Sequence, residues 1–119
     1  MYKSIVKEIG ALALSFEEEK IVVLFGPQAT QELKEIAVIH ELEGNSSEEP
    51  IKEGGTLQID DQQFTITAVG SAANNNLKEL GHISIYFSEP AEQVLPGAVF
   101  ASPHVLPKFK EGSIIEFKG

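Results

Sequence analysis

An all-β fold, a small closed or partly closed β-barrel of about eight short strands with two short helices, is predicted by three features of the 119-residue sequence. Short runs rich in Val, Ile, Phe and Thr recur along the chain. Gly, Pro and Asn separate them, and two brief stretches switch from alternation to helical spacing. Strands are expected at Ser4 to Ile9 and at Ile21 to Phe25, the second an unbroken apolar run, "IVVLF". "GPQATQELKE" follows as the first helical piece, with Pro27 suited to the first helical position and Leu33 as its apolar anchor.

The third strand, Ile36 to Leu42, leads into "EGNSSEEPIKEGG", whose Gly, Ser and Pro content marks a loop from Glu43 to Gly55. Strands at Thr56 to Ile59 and Gln63 to Val69 come next. The second helix is "NNNLKELG", where an Asn can cap the start, Leu77 and Leu80 share a face, and Gly81 suits the left-handed residue that ends a helix. His82 to Phe87, Ala98 to Ser102 and Ser113 to Phe117 complete the set. No repeat or linker interrupts the pattern, so residues 1–119 form one domain, long enough for a single core.

Nine Lys and Arg against eighteen Asp and Glu leave a net charge of -9, spread along the chain. Such a surface repels phosphate backbones and anionic headgroups, which disfavours nucleic acid, and it attracts a basic protein partner. Zero cysteines exclude disulfides, thiolate chemistry and sulfur-ligated metal. The longest apolar run falls far short of the roughly 20 residues of a membrane helix. "MYKSIVKEIG" lacks signal architecture, and a cytoplasmic protein with no direct membrane insertion is expected.

The reactive side chains reduce to three histidines, carboxylates and hydroxyls. On the third strand Ile36, Val38, His40 and Leu42 share one face, so His40 stands among apolar residues. Burial lowers the pKa of an imidazole and keeps it neutral, and a neutral ring held by one nitrogen offers the other as a directed nucleophile. The alternative is a structural core histidine satisfied by backbone carbonyls. Solvent access separates the two, because a carrier histidine needs one reachable nitrogen.

His82 lies on the more polar face of its strand with Ser84 and Tyr86, and His104 sits between prolines in "SPHVLP", a surface setting. "HELE" offers one imidazole without a second ligand on its face, so no metal is expected, and no cofactor is implied. "VGSAANNN" lacks the second glycine of a serine-hydrolase elbow. As an anion site that stretch is more attractive: Gly70 ends a strand ahead of a helix N-terminus, whose amides and dipole favour a phosphoryl group.

"VIHELEG" at 38–44 and "ITAVGSAANNNLKELGHISIYF" at 66–87, with "LPGAVF" at 95–100 and the "EGSIIEF" ending, resemble the glucitol/sorbitol-specific IIA component of the bacterial phosphoenolpyruvate-dependent sugar phosphotransferase system. The resemblance spans essentially the whole chain and implies a closed β-barrel. It implies that the histidine of "VIH", His40, is phosphorylated by a histidine-containing phosphocarrier protein and passes the group to the cysteine of the IIB component of a IIB/IIC membrane transporter. A second histidine two places on, which members can carry, is here Leu42. Joined to the residue-level reading, this makes Gly70, Ser71 and Asn74 candidates for a phosphate cradle, with His82 as a supporting residue behind His40. A noncatalytic barrel that binds or regulates a partner, with His40 structural, is the alternative.

Overall fold

The computed structural model describes residues 1–15 and 17–119. It contains β1 (Tyr2–Ile9), β2 (Ile21–Phe25), α1 (Gln31–Ile36), β3 (Val38–Leu42), β4 (Thr56–Ile59), β5 (Gln62–Val69), α2 (Ala73–Leu80), β6 (Ile83–Tyr86), β7 (Ala98–Ser102) and β8 (Ile114–Lys118). The strands close into a barrel in the order β1-β3-β2-β6-β7-β5-β4-β8. Closure gives every strand a neighbour on both sides, although β2 pairs only with Val38 and Ile39 of β3.

Most neighbours are antiparallel, but β2 and β3, joined through α1, run parallel, as do β6 and β7. Alternation along β1, β2, β4, β6 and β8 and runs of consecutive buried residues on β3 and β7 fill the interior: Val6, Leu24, Val38, Leu57, Ile85 and Ile115 are all at most 1% exposed. At about 25 cal/mol per Å² of apolar surface withdrawn from water, this packed interior is the main stabilising term.

The tight β4–β5 hairpin turns at Asp60, which adopts a left-handed φ of 54°. Its carboxylate accepts from the Ser113 hydroxyl at 2.7 Å and the Ile114 amide at 2.9 Å, tying the hairpin to the start of β8.

Two helix starts differ from expectation. α1 begins after Thr30, whose hydroxyl accepts from the Leu33 amide at 3.3 Å. Pro27 instead belongs to a turn ahead of the helix, closed by the Ala29 amide on the Gly26 carbonyl at 3.1 Å. A threonine oxygen can take up an orphan amide, which proline cannot do. α2 starts after Ala72 with no side-chain cap. No Asn caps it, because the Asn74 amide group both accepts from the Ile51 N–H at 2.8 Å and donates to the Ile51 carbonyl at 2.9 Å, anchoring the loop that follows β3.

The other end of α2 matches its reading. Gly81 takes φ 66° and returns its amide to the Leu77 carbonyl, closing the helix in the left-handed conformation that glycine adopts without strain. Leu77 is buried, but Leu80 remains 42% exposed.

Candidate functional site

Period-2 alternation on β1 turns Tyr2, Ser4 and Val6 inward, and all three are buried. In the antiparallel register with β3, Val6 stands opposite His40 and Ser4 opposite Leu42. Ser4 is therefore the diagonal neighbour of His40 on the inner face, close enough for side chains to meet. The Ser4 hydroxyl lies 2.6 Å from His40 Nδ1. On the other side of the ring, Nε2 lies 2.7 Å from the Gly81 carbonyl oxygen.

A carbonyl oxygen only accepts, so Nε2 carries the hydrogen and donates to Gly81. A neutral imidazole has a single N–H, which leaves Nδ1 as a lone pair accepting from the Ser4 hydroxyl. Burial pushes the ring's pKa below its ordinary value, and the Gly81 bond offsets part of that effect. His40 is thus neutral, in one tautomer and one orientation.

The expectation of an open ring nitrogen is not met: the imidazole is 1% exposed and both nitrogens are occupied. The reason is tertiary. The partners come from positions 36 residues before and 41 residues after His40, and only barrel closure brings them to its two edges.

His40 forms part of the wall of a cavity of about 470 Å³ at one end of the barrel, together with Tyr2, Gly81, Leu42, Leu80 and the loop after β3. Gly81, the partner of Nε2, lines this cavity, whereas Ser4, the partner of Nδ1, does not. Tyr2, its ring centroid 6.0 Å from the imidazole, is held neutral because burial pushes its phenol up to about 12. Among the described residues Lys78 is the one cationic side chain lining the cavity, and it pairs with Glu48 at 3.6 Å. Both partners are well exposed, so the pair constrains little.

The remaining candidates are distributed differently from expectation. It is the C-terminus of α2 that meets His40; the turn at Gly70 and Ser71 lies at the opposite end of an 8-residue helix, about 12 Å away at 1.5 Å per residue. The Gly70 amide is already committed to the Ala98 carbonyl at 2.8 Å, and Ser71 is exposed. Neither lines the cavity. Gly70 answers a packing need, since a Cβ there would come within 2.2 Å of the Leu95 carbonyl oxygen.

Asn74 does line the cavity, with its amide engaged by Ile51. His82 stacks on Phe25 with centroids 4.4 Å apart and donates from Nδ1 to the Leu24 carbonyl at 3.2 Å. It touches the site only through its peptide bond to Gly81. The residues missed from sequence are Ser4 and Gly81. Alternation along β1 marks Ser4 as a small hydroxyl turned inward between Tyr2 and Val6, a signal that was there to be read. Among the described residues no group of three or more His, Asp or Glu side chains is placed to hold a metal ion, and no helix is long and apolar enough to cross a membrane.

The buried ring predicts a pH dependence. The unfolded chain takes up a proton at this position near 6.5 and the native ring, with its lower pKa, does not. Unfolding free energy should therefore be level above that pH and fall below it, by at most about 1.4 kcal/mol per pH unit from this one group. Asp60, held below its ordinary 3.8 chiefly by the Ile114 amide, adds a second loss at more acidic pH. Urea unfolding between pH 5 and 8 checks the first limb, which His40→Gln should flatten.

A family model described as "PTS system glucitol/sorbitol-specific IIA component" matches residues 1–116. The chain is 30% identical over 121 residues to the PTS system glucitol/sorbitol-specific EIIA component of Escherichia coli (strain K12), covering 99% of this chain and 94% of that protein. The Shigella flexneri component of the same description gives the same identity and coverage. Among solved structures, the PTS system IIA component from Enterococcus faecalis V583 superposes with a TM-score of 0.86 at 36% identity, covering 98% of this chain and 99% of that one.

Proposed function

The chain belongs to the glucitol/sorbitol-specific IIA component family of the sugar phosphotransferase system, and from that premise we propose that it carries a phosphoryl group on His40 Nε2. The observation that carries this reading is a neutral imidazole of defined tautomer in the cavity wall, its Nε2 bonded to Gly81, which lines the same cavity. The donor is a histidine-containing phosphocarrier protein and the acceptor is the cysteine of the transporter's IIB component. Residues 1–119 contain no cysteine, so the thiol carrier lies outside them.

Transfer requires Nε2 to give up its hydrogen and leave the Gly81 carbonyl, after which its lone pair attacks phosphorus as the donor's N–P bond breaks. Energies are nearly balanced between two activated carriers, so the rate rests on in-line positioning and on neutralising the equatorial oxygens. The carbonyl end of α2 is the negative pole of the helix and opposes a phosphoryl dianion on Nε2. Accommodation of the group therefore calls for Gly81 to turn away and for Lys78, freed from Glu48, to supply positive charge.

Leu42 and Leu80, 40% and 42% exposed, line the same cavity with Glu48 and Glu79. An apolar rim among acidic side chains on a chain of net charge -9 suits a basic carrier that docks briefly. Raising salt from about 50 to 500 mM, which shortens the screening length several-fold, should slow phosphoryl entry through association. Stopped transfer reactions at several salt concentrations measure this, and a salt-independent rate removes steering from the account.

The direct test is incubation with phosphoenolpyruvate, the general phosphotransferase enzyme and the phosphocarrier. The expected product is an acid-labile, base-stable adduct whose nitrogen is identified by 31P NMR as Nε2. One observation favours the second reading, a partner-binding barrel in which His40 is structural: both ring nitrogens are satisfied and the ring is 1% exposed. That reading expects no phosphate to be incorporated at all.

A further inference from the structure

The hydroxyl behind His40 has a property that the carbonyl in front of it lacks. Gly81 can only accept a hydrogen, whereas a serine hydroxyl both donates and accepts, and exchanges the two roles by rotation about one bond. In the resting arrangement Nε2–H points at Gly81, so Ser4 must donate to Nδ1. A nucleophilic Nε2 needs the opposite tautomer, in which Nδ1 carries the hydrogen and seeks an acceptor. Ser4 is 0% exposed, so no bulk water can take that part, and Nδ1 is its one hydrogen-bond partner among the described residues.

We propose that Ser4 is a positioning residue for phosphoryl transfer, a two-way partner that holds His40 in either tautomer and thereby makes Nε2 the phosphorylated nitrogen. The proposal rests on the carrier reading. At rest the hydroxyl donates to the Nδ1 lone pair. Once Gly81 has turned away, the Nε2 hydrogen passes to water in the cavity and the exposed ring takes one from water at Nδ1, with no net change of charge; back against Ser4, Nδ1–H is met by the hydroxyl, which has turned to accept. Nε2 then attacks, its lone pair forming the new N–P bond while the donor nitrogen leaves with the electron pair of the broken one. Loss of the Nδ1 hydrogen to water afterwards returns Ser4 to donating, so water is the only proton donor and acceptor used and no redox change is involved.

Placement explains why this residue type stands here. Ser4 occupies an inward position of β1 between Tyr2 and Val6, where apolar side chains otherwise build the core. An alanine there would leave a buried Nδ1–H without an acceptor at the moment of attack.

The test uses the full chain with 15N-labelled histidine, as wild type, Ser4→Ala and Ser4→Thr. The resting wild type should show a hydrogen on Nε2 and a hydrogen-bonded Nδ1, and Ser4→Ala should shift the Nδ1 resonance to that of an unbonded lone pair. Single-turnover transfer from the phosphorylated carrier should slow about tenfold to a hundredfold in Ser4→Ala, the equivalent of one unsatisfied buried donor. The carrier concentration at half-saturation should stay unchanged, and Ser4→Thr should recover most of the rate. Should Ser4→Ala fail to fold, Ser4→Cys, close in volume and a weak partner, carries the comparison with a smaller slowing expected. Transfer at wild-type speed into a folded Ser4→Ala or Ser4→Cys overturns this proposal alone. A wild-type protein that takes up no phosphoryl group overturns it together with the carrier reading.

Discussion

Phosphoryl incorporation is expected to fall to background, more than about a thousandfold, when His40 is replaced by glutamine. Loss of a nucleophile that forms the covalent intermediate leaves nothing to substitute for it, and losses of that order or greater are usual for such residues. Glutamine is the informative replacement because its amide can donate to the Gly81 carbonyl and accept from Ser4, the two bonds that the imidazole makes. An amide nitrogen is not nucleophilic, so fold and chemistry separate. His40→Ala should lose the label equally, but it opens a cavity and strands two buried polar groups, each costing about 1–3 kcal/mol. Phosphoryl label that persists in His40→Gln would move the chemistry to another residue. A wild type that never takes label, beside a destabilised His40→Gln that still binds its partner, would favour the structural histidine.

Gly81→Ala should produce the largest loss of stability of any single methyl addition near the site. At φ 66° an L side chain is strained, and the new Cβ would stand 2.8 Å from the Gly26 nitrogen and 2.9 Å from its Cα. Both neighbours are backbone atoms, held in turn because the Gly26 amide and the Gln28 side chain donate to the Leu80 carbonyl at 2.9 and 2.6 Å. The left-handed conformation alone costs an alanine about 1–2 kcal/mol, and relieving the contact requires moving the end of β2 or α2. A total of roughly 2–4 kcal/mol is expected, read as a lower urea midpoint at unchanged slope. Gly54→Ala is the matched control: its φ is 85° but nothing lies within 4 Å of the added carbon, so only the conformational cost remains. Equal effects at the two positions would show that the Gly26 contact is easily relieved.

Much of the barrel could be read in advance. Short runs of apolar and β-branched residues, alternating or unbroken, between turn-forming residues mark extended chain locally, so strands such as Ile21–Phe25, Thr56–Ile59 and Ala98–Ser102 could be bounded from their own residues. The left-handed Gly81 was legible for the same reason, since a glycine after a helical stretch has few other uses. The inward position of His40, and with it a neutral ring, followed from its strand alone.

The direction of α2 relative to His40 was not legible. A glycine-ended strand before a helix suggests an anion site wherever it occurs, and nothing local reveals that its other end is the one that packs on the imidazole. Composition and alternation by themselves determined an acidic β-barrel with one imidazole on its inner face. Register between β1 and β3, and the approach of the α2 terminus to the end of β2, decided that Ser4 and Gly81 hold that imidazole and that both its nitrogens are covered. Side-chain direction is set by neighbouring dihedrals within a few residues, whereas hydrogen-bond partners 36 and 41 residues away come together only when the sheet closes.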